Sequence, residues 1–495
     1  MNGKKIVLVQ PKSGPWELAG QRPPDSLLAI SALPYASGYD VRIIDQRIDR
    51  KWKESLKREL KDAFLFGTTS MTGPQIKYAL EASKFVKENS YVPVVWGGIH
   101  ASLLPEQTIQ NRYIDMVVCG EGDYALLELI KALEQDNLLS VKGLYYKQNG
   151  QIRKTPERDL INNLDKLLDF PYKLINIQRY HGINLQKGRS ITLITSRGCP
   201  YRCAFCYNTV YNKNRWRGMS AKRVVEMIKR VTKEFGVKNI FFEDDNFCAS
   251  VERFEEIIDR ILEEKIDIRW GLLGVRADTL KRMSDNLLAK AVKAGCVSVD
   301  IGVESGSNRI IDLVIKGVTT QDIVELNKRL AKFFPRTKYT FIMGLPTETE
   351  SELLESVRLA LRLIKDNPSA LTLFFAFCAY PGTKLFNLAK EYGFKEPNTL
   401  EEWADINYET AFLFNPWLNK KMSKMIQNLG FTSFFINRNT QYKINSAFFR
   451  GLALLYQPIA KIRFENNIYS FPVERWLVAF LIKTWSRISV KLANL

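Results

Sequence analysis

The first 140 residues alternate between short, continuous apolar runs and longer segments in which apolar residues recur at helical spacing. Strands buried on both faces read as continuous apolar runs, so this pattern predicts a parallel sheet covered by helices. The predicted strands are residues 4–10, 39–45, 63–70, 92–98 and 114–120, and the predicted helices are residues 25–37, 50–61, 73–89 and 124–135. This order indicates an α/β fold with a flavodoxin-like (Rossmann-type) domain over 1–143, which binds ligands beyond the carboxyl ends of its strands.

A second alternation follows a short connection. Asn149-Gly150 predicts a hairpin over 144–155, and the charged residues up to 189 are interpreted as a linker, so that 144–189 separates two domains. Six further apolar runs are interleaved with helical segments, at residues 191–195, 239–243, 268–274, 297–303, 339–345 and 371–377. Six units are too few for a closed eightfold barrel, so residues 190–385 are predicted to form a partial (β/α)6 TIM barrel. Its first long helix should begin at Ser220 and end at Gly236.

The last part of the chain, residues 386–495, loses the strand alternation and is aromatic-rich, basic and helical in pattern. Residues 411–495 hold 12 Lys and Arg against 2 Asp and Glu, which is about half of the net charge of +19. Such a segment can face nucleic acid, an anionic membrane surface, an acidic substrate or only solvent. The run 475–487 mixes Trp, Phe and Leu with Arg and Lys, which suits a helix in a membrane interface and equally a cationic helical cap packed on the barrel. We therefore expect a mostly helical C-terminal domain with peripheral membrane contact and no nucleic-acid partner.

Composition narrows the class of protein. With 46% hydrophobic and 25% charged residues, the chain is neither disordered nor collagen-like. No apolar run reaches the roughly 18 residues that suggest a membrane-spanning helix, and the amino terminus lacks the apolar core of a secretory signal. The expected location is the cytoplasm, peripheral at the membrane.

Three of the seven cysteines, Cys199, Cys203 and Cys206, form a C-x-x-x-C-x-x-C motif just after a predicted strand. Closely spaced thiolates select zinc, copper or an iron–sulfur cluster. Structural zinc normally takes four ligands, and the sequence offers no fourth Cys or His nearby. Three thiolates on a four-iron cluster would leave one iron open, which suits catalysis. The other cysteines lie mostly in apolar runs and are interpreted as core residues.

The cysteine motif and the polar residues after later predicted strands resemble the radical S-adenosylmethionine (SAM) superfamily over residues 191–385. The resemblance implies that the three cysteines hold a catalytic 4Fe–4S cluster and that SAM binds its open iron. Cleavage of SAM would then yield a 5′-deoxyadenosyl radical. The implied cofactor contacts are Asp244, Asp245, Asn246, Arg276, Glu304, Ser305 and Gly344.

The first domain resembles the cobalamin-binding domain that precedes the radical domain in one subclass of this superfamily. The positions implied to contact cobalamin are Asp45, Arg47, Ser70, Thr72, Gly97, Gly98, His100, Gly120 and Glu121. Arg47 stands where the subclass has a cobalt-ligating histidine, and a guanidinium is too basic to ligate a metal. We therefore expect cobalamin in its base-off, His-off form, with His100 in a core or supporting role.

These resemblances imply an enzyme like the class B radical SAM methyltransferases, related to anaerobic cyclases and hopanoid methylases. It would move a methyl group from methylcobalamin to an unactivated carbon of a small-molecule or lipid-like substrate, with flavodoxin or ferredoxin as the electron donor. One alternative is a radical SAM cyclase or ring-rearranging oxidoreductase that uses cobalamin without net methylation. Another alternative is a cobalamin-binding regulatory protein that binds nucleic acid. The cysteine motif argues against this alternative. A tRNA methylthiotransferase would need a second cysteine triplet in its first domain.

Overall fold

The computed structural model describes residues 4–14, 22–180, 190–407, 410–437 and 447–468. Strands and helices alternate through its first part, as the sequence pattern predicts. The elements are β1 (Lys5–Gln10), α1 (Asp25–Ala36), β2 (Asp40–Asp45), α2 (Trp52–Glu59), β3 (Ala63–Thr69), α3 (Pro74–Asn89), β4 (Val94–Gly97), α4 (Ile99–Leu103), α5 (Pro105–Gln110), β5 (Met116–Val118), α6 (Gly122–Glu134), β6 (Leu144–Gln148) and β7 (Gln151–Lys154). The sequence did not predict α4 and α5, which are too short to show a helical period.

The first sheet has seven strands in the order β2-β1-β3-β4-β5-β6-β7. Strands β1 to β5 are parallel, which confirms the Rossmann-type prediction. The hairpin β6–β7 is also confirmed: Asn149 and Gly150 both have positive φ, at 51° and 75°, as a tight two-residue turn requires. Because β6 pairs antiparallel with β5, the hairpin extends the first sheet at its edge.

The second part holds the predicted partial barrel. Its elements are β8 (Ser190–Leu193), β9 (Ser196–Arg197), α7 (Asn208–Tyr211), β10 (Arg217–Gly218), α8 (Ala221–Phe235), β11 (Asn239–Phe242), α9 (Val251–Glu263), β12 (Arg269–Val275), α10 (Ala277–Arg282), α11 (Asp285–Lys293), β13 (Cys296–Glu304), α12 (Asn308–Leu313), α13 (Thr320–Leu330), β14 (Thr337–Met343), α14 (Glu350–Asp366) and β15 (Ala370–Ala376). Six parallel strands form an open sheet in the order β15-β14-β13-β12-β11-β8. Leu193, Phe242 and Leu272 lie side by side in register, so the loops after β8, β11 and β12 emerge at the same edge.

Helix α8 shows how the sequence sets these boundaries. The hydroxyl of Ser220 accepts a hydrogen bond from the backbone N–H of Arg223 at 3.2 Å, which caps the first turn. Gly236 ends the helix in the left-handed conformation, with φ 62°. The apolar face between them is buried against the second sheet.

The C-terminal region is helical where it is described, with α15 (Lys384–Glu391), α16 (Leu400–Trp403), α17 (Lys420–Thr432) and α18 (Ala447–Glu465). No helix in the described part of the chain has both the length and the apolar character to cross a membrane. The predicted interfacial segment 475–487 lies outside the described residues.

One apolar cluster connects the two sheets. It contains Val9 and Trp96 from the first sheet, Ala204 from the cysteine motif, Phe377 just beyond β15 and Trp403 from α16. Ala204 also accepts a backbone hydrogen bond from Leu385 at 2.9 Å. The cysteine motif is therefore packed between the first sheet and the C-terminal helices.

Candidate functional site

The cysteine loop, residues 198–206, follows β9 and begins with a glycine that no other residue could replace without movement. Gly198 has φ +81°, and a Cβ atom there would lie 2.0 Å from the carbonyl oxygen of Arg215. Its N–H donates to Asp245 Oδ2 at 2.8 Å. Cys203 is buried and Cys199 and Cys206 are partly buried. The backbone thus fixes the start of the loop before any cofactor is considered.

Two N–H donors contact the sulfur atoms of this loop. Asn246 Nδ2 lies 3.6 Å from Cys199 Sγ, and Arg276 Nη1 lies 3.1 Å from Cys203 Sγ. Burial raises the pKa of Cys199, and it raises the pKa of Cys206 to about 12. These thiols are therefore protonated in the free chain and must release protons to bind iron.

Three thiols with N–H donors around them fit a 4Fe–4S cluster, whose potential depends on hydrogen bonds to sulfur. The described residues contain no group of three or more His, Cys, Asp and Glu side chains that could hold a single metal ion. Three thiolates from one loop would leave the fourth iron of such a cluster open.

The loop after β11 carries three predicted cofactor contacts, and they differ in whether their polar atoms already have hydrogen-bond partners. Asp244 accepts from Thr195 N–H at 2.7 Å and from the Ser196 hydroxyl at 2.6 Å, and burial raises its pKa to about 6. Asp245 accepts from Gly198 and, at 2.7 Å, from the Tyr207 hydroxyl. Both carboxylates therefore hold the backbone around the cysteines.

Asn246 is different because its Oδ1 atom is buried without a hydrogen-bond partner. Its amide nitrogen already lies against Cys199. A buried acceptor without a donor is costly, so this atom fits the amino group of a bound cofactor. This orphaned oxygen distinguishes Asn246 from the two aspartates, and it is a signal that only the structure provides.

The ends of β12 to β14 hold the remaining predicted contacts of the radical domain. The Arg276 guanidinium lies over the Tyr201 ring, with its Cζ 3.7 Å from the ring centroid, and donates to Asp278. Glu304 has φ +71° and forms a buried ion pair with Lys316. The described structure therefore places Arg276 at the cluster loop and Glu304 in an internal ion pair.

Ser305 and Gly344 shape the neighbouring loops. The hydroxyl of Ser305 lies 3.2 Å from that of Ser356 and accepts from Ser307 N–H. Gly344 has φ +76°, and its N–H donates to Glu348 Oε2 at 2.6 Å. The sequence did not single out Glu348, although it lies in the motif FIMGLPTET. Burial raises its pKa to about 8, and its other oxygen has no partner.

In the first domain, the side chains of Asp45 and Arg47 form an ion pair. Arg47 donates to both carboxylate oxygens of Asp45, at 2.8 and 2.6 Å, and Asp45 also accepts from the Tyr180 hydroxyl at 3.0 Å. Arg47 additionally donates to the carbonyl of Arg22. This pair closes the end of β2 and does not line the cavity described below.

The predicted loops after β3 and β4 pack tightly together. A Cβ atom on Gly98, where φ is +94°, would lie 2.7 Å from the carbonyl oxygen of Ser70. His100 donates its backbone N–H to that same carbonyl, and its Nδ1 lies 3.0 Å from the Thr72 hydroxyl. Burial lowers the pKa of His100 to about 4 and its ring contacts Trp403, 5.6 Å between centroids. His100 is thus a buried, neutral residue in this structure.

A cavity of about 330 Å³ lies between the two sheets. The first sheet contributes predicted residues from the ends of β4 and β5, and the second contributes the loops after β8 and β11; the predicted residues in its lining are Gly97, Gly98, Gly120, Glu121 and Asp245. Gly97 and Gly120 leave room for a ligand, since a Cβ at either would meet no atom closer than 3.7 Å. Among the described lining residues there is no histidine.

Two further residues of this cavity were missed by the sequence analysis. Asp25, at the start of α1, accepts from the Thr192 hydroxyl, and its Oδ1 is buried without a partner. Arg197 donates to Glu121 and Asp123 across the cavity rim. Neither residue belongs to a sequence motif, because each one forms hydrogen bonds to a segment that is distant from it in sequence.

Comparisons with known proteins agree with this geometry. Residues 193–360 match the family model of the radical SAM superfamily, and residues 17–130 match that of the B12 binding domain. The chain is 34% identical over 397 residues to an uncharacterized methyltransferase, PH0819, of Pyrococcus horikoshii, covering 79% of this chain and 84% of that one. It is 31% identical over 374 residues to an anaerobic magnesium-protoporphyrin IX monomethyl ester cyclase of Cereibacter sphaeroides, covering 72% of this chain and 59% of the cyclase.

Solved structures share the fold at lower identity. The radical SAM methyltransferase TsrM from Kitasatospora setae, solved with cobalamin and a [4Fe-4S] cluster, superposes with a TM-score of 0.65 at 18% identity, covering 80% of this chain and 76% of that one. The cobalamin-dependent radical SAM enzyme OxsB superposes with a TM-score of 0.72 at 17% identity, covering 98% and 75%. The order of the two sheets and the helical end is thus a fold already seen in solved proteins.

Proposed function

The chain belongs to the radical SAM superfamily, in the group with a B12-binding domain, and we propose that it transfers a methyl group from methylcobalamin to an unactivated carbon. Its cofactors are a 4Fe–4S cluster, SAM and cobalamin. When bound, these groups supply a 5′-deoxyadenosyl radical for hydrogen abstraction and a methyl group for the resulting carbon radical. The protein's part is to hold, orient and shield them.

Different residues would have different roles in holding these cofactors. Cys199, Cys203 and Cys206 would hold the cluster, and Arg276 would place a positive charge and an N–H beside it. Asn246 Oδ1 would accept from the amino group of SAM, since it is a buried acceptor next to Cys199. Asp244 and Asp245 act through the backbone, because their hydrogen bonds keep the two loops in register.

The observation that carries the proposal is the cavity between the two sheets. Its walls include Gly98 and Gly120 from the first domain, and Arg197 and Asp245 from the segments that flank or contact the cysteine loop. A methyl donor in the first domain and a radical generator in the second must meet at one substrate, with water excluded. A cavity built jointly by both domains supports this arrangement, with cobalamin base-off and His-off.

The test is anaerobic reconstitution of the full chain, followed by accounting of the products formed from SAM. A methyltransferase forms S-adenosylhomocysteine and 5′-deoxyadenosine together with a methylated product. Replacing the three cysteines by alanine should abolish deoxyadenosine formation. Zinc in place of iron, or turnover unchanged by the triple replacement, would refute the proposal.

A second candidate is a cyclase or ring-rearranging oxidoreductase. It is favoured by the 31% identity to the magnesium-protoporphyrin cyclase. This reaction would form 5′-deoxyadenosine without S-adenosylhomocysteine. The same product accounting therefore separates the two functions.

Helix α18 suggests where a lipid-like substrate or a membrane would approach. Leu452, Leu455, Ile459 and Ile462 follow one another at helical spacing and are exposed, Leu455 by 76%. The same helix carries Arg450 and Lys461, whose side chains are exposed, whereas Arg463 is buried. We include in the proposal that this exposed apolar face contacts a membrane surface that is anionic, since the helix also carries exposed basic side chains.

Sedimentation with vesicles tests this contact. The chain should bind vesicles that contain anionic lipid more strongly than neutral ones, and Leu455→Glu should weaken the binding. Equal sedimentation with both vesicle types would contradict the proposal. A small-molecule substrate and an external donor, flavodoxin or ferredoxin, complete the proposed partners; the net charge of +19 suits an acidic donor.

A further inference from the structure

Residues 119–123, which form the loop after β5 and the start of α6, carry two carboxylates that reach the second domain. Arg197 donates to Glu121 Oε1 at 3.0 Å and to both oxygens of Asp123 at 2.8 Å. Arg197 is the residue immediately before Gly198, at which the cysteine loop begins. A single side chain therefore connects the start of the cysteine loop to the first domain.

A second arginine completes the network. Strands β9 and β10 pair Arg197 opposite Arg217, and Arg217 donates to Glu121 Oε2 at 2.7 Å. The same oxygen accepts from the backbone N–H of Ile161 in the linker, at 2.6 Å. The network has two positive and two negative groups, all largely buried. Because buried charges depend on their partners, displacement of one group is felt by the others.

The same loop also forms part of the cavity between the sheets. Gly120, Glu121 and Asp123 line it from one side and Arg197 from the other. A ligand that fills the cavity therefore contacts the backbone and the side chains that hold Arg197. Binding there and the position of the cysteine loop cannot be independent.

We propose that Glu121 and Asp123 are positioning residues that hold the cysteine loop through Arg197, so that cobalamin binding and cluster binding are energetically coupled. The inference rests on the proposed function for the identity of the two ligands. Coupling between two sites is reciprocal, so each ligand should change the affinity for the other by the same factor. Among the described residues, the Asp123 carboxylate is hydrogen-bonded to Arg197 alone, whereas Glu121 also holds Arg217 and the linker, so Asp123 is the cleaner residue to change.

The test measures hydroxocobalamin affinity by optical titration of the full chain, anaerobically, with the cluster reconstituted and without iron. In the parent chain, the two affinities should differ by about fivefold or more. In Asp123→Asn the difference should fall to within error, while iron content stays at the parent level. As a second readout, cobalamin should shift the electron paramagnetic resonance signal of the reduced cluster in the parent and not in the variant.

The control is Glu128→Gln on the same helix, α6. Glu128 pairs with Arg158 at the protein surface and does not contact Arg197. This variant should keep the full parental difference in affinity. Arg197→Lys, which keeps the charge but loses the paired N–H groups, serves as a second variant should Asp123→Asn fail to fold.

Two results would overturn the inference: equal affinities in the parent with and without cluster, or a folded Asp123→Asn that keeps the parental difference. If both variants misfold, the parent comparison still tests the coupling itself, and equal affinities there overturn the inference. The affinity measurement does not depend on methyl transfer, so a chain that shows the coupling but forms no methylated product in the separate product accounting would refute the proposed function and leave this inference standing.

Discussion

Replacing Gly198 by alanine should remove the iron–sulfur cluster by moving the loop that holds it. A new Cβ would lie 2.0 Å from the Arg215 carbonyl oxygen, about 1 Å inside the 3.0 Å below which such contacts do not occur. The left-handed backbone, φ +81°, costs an alanine about 1–2 kcal/mol, and the overpacking adds about 1–3 kcal/mol. Because Gly198 N–H also holds Asp245, the shift would propagate to the loop after β11.

The matched control is Gly236→Ala at the end of α8. Gly236 also has a positive φ, +62°, but a Cβ there would meet no atom within 4 Å. It should cost only the backbone term, about 1–2 kcal/mol, and leave the cluster intact. Both variants would be reconstituted anaerobically, assayed for iron and sulfide per chain, and unfolded in denaturant. A Gly198→Ala chain with parental iron content and the stability of the control would refute this reasoning.

Three further outcomes are expected. Burial raises the pKa of Asp25 to about 7, so between pH ~4 and pH 7 the folded chain keeps a proton that the unfolded chain has lost, and the stability of the fold decreases as the pH rises through this range. The variant Asp25→Asn should therefore be more stable than the parent by up to ~4 kcal/mol at pH 8 and no more stable at pH 4. An equal gain in stability at both pH values would contradict this. Arg276→Gln should lower the reduction potential of the cluster by about 60 mV or more in a redox titration, because the guanidinium favours the reduced, more negative form of the cluster. Arg276→Lys should change the reduction potential less. His100→Ala should leave the absorption spectrum of bound cobalamin unchanged, because the ring packs on Trp403; a shifted spectrum would mean that His100 ligates cobalt.

The sequence predicted the elements that have a strong period of their own. All six strands of the second sheet were predicted within two residues at each end, because each is a buried apolar run bounded by polar turns. Ser220 and Gly236 were identified as the ends of α8 from residue type alone, since a capping hydroxyl and a left-handed glycine act locally. The hairpin was also predicted, but its pairing with β5 was not, because that partner is chosen by tertiary contact.

The candidate site likewise contains residues that the sequence could identify and residues that only the structure could identify. The cysteine motif and the polar strand ends could be found in the sequence because chemistry fixes their spacing. What distinguishes Asn246 from Asp244 is the hydrogen bonding of each side chain, which depends on Thr195 and Ser196 almost 50 residues away. Glu121 was expected to contact a cofactor, and its pairing with Arg197 could not be foreseen because the two residues come from different domains.

The shared apolar cluster has a consequence for dissecting the protein. Ala204 lies between the cluster cysteines in sequence, yet its side chain belongs to the same buried apolar cluster as Val9 and Trp96 of the other sheet. A fragment that begins after the linker would expose this surface to water and lose part of the wall behind its metal site. Calorimetry of the intact chain should therefore show a single cooperative melting transition, in which corrinoid and iron are released at the same temperature.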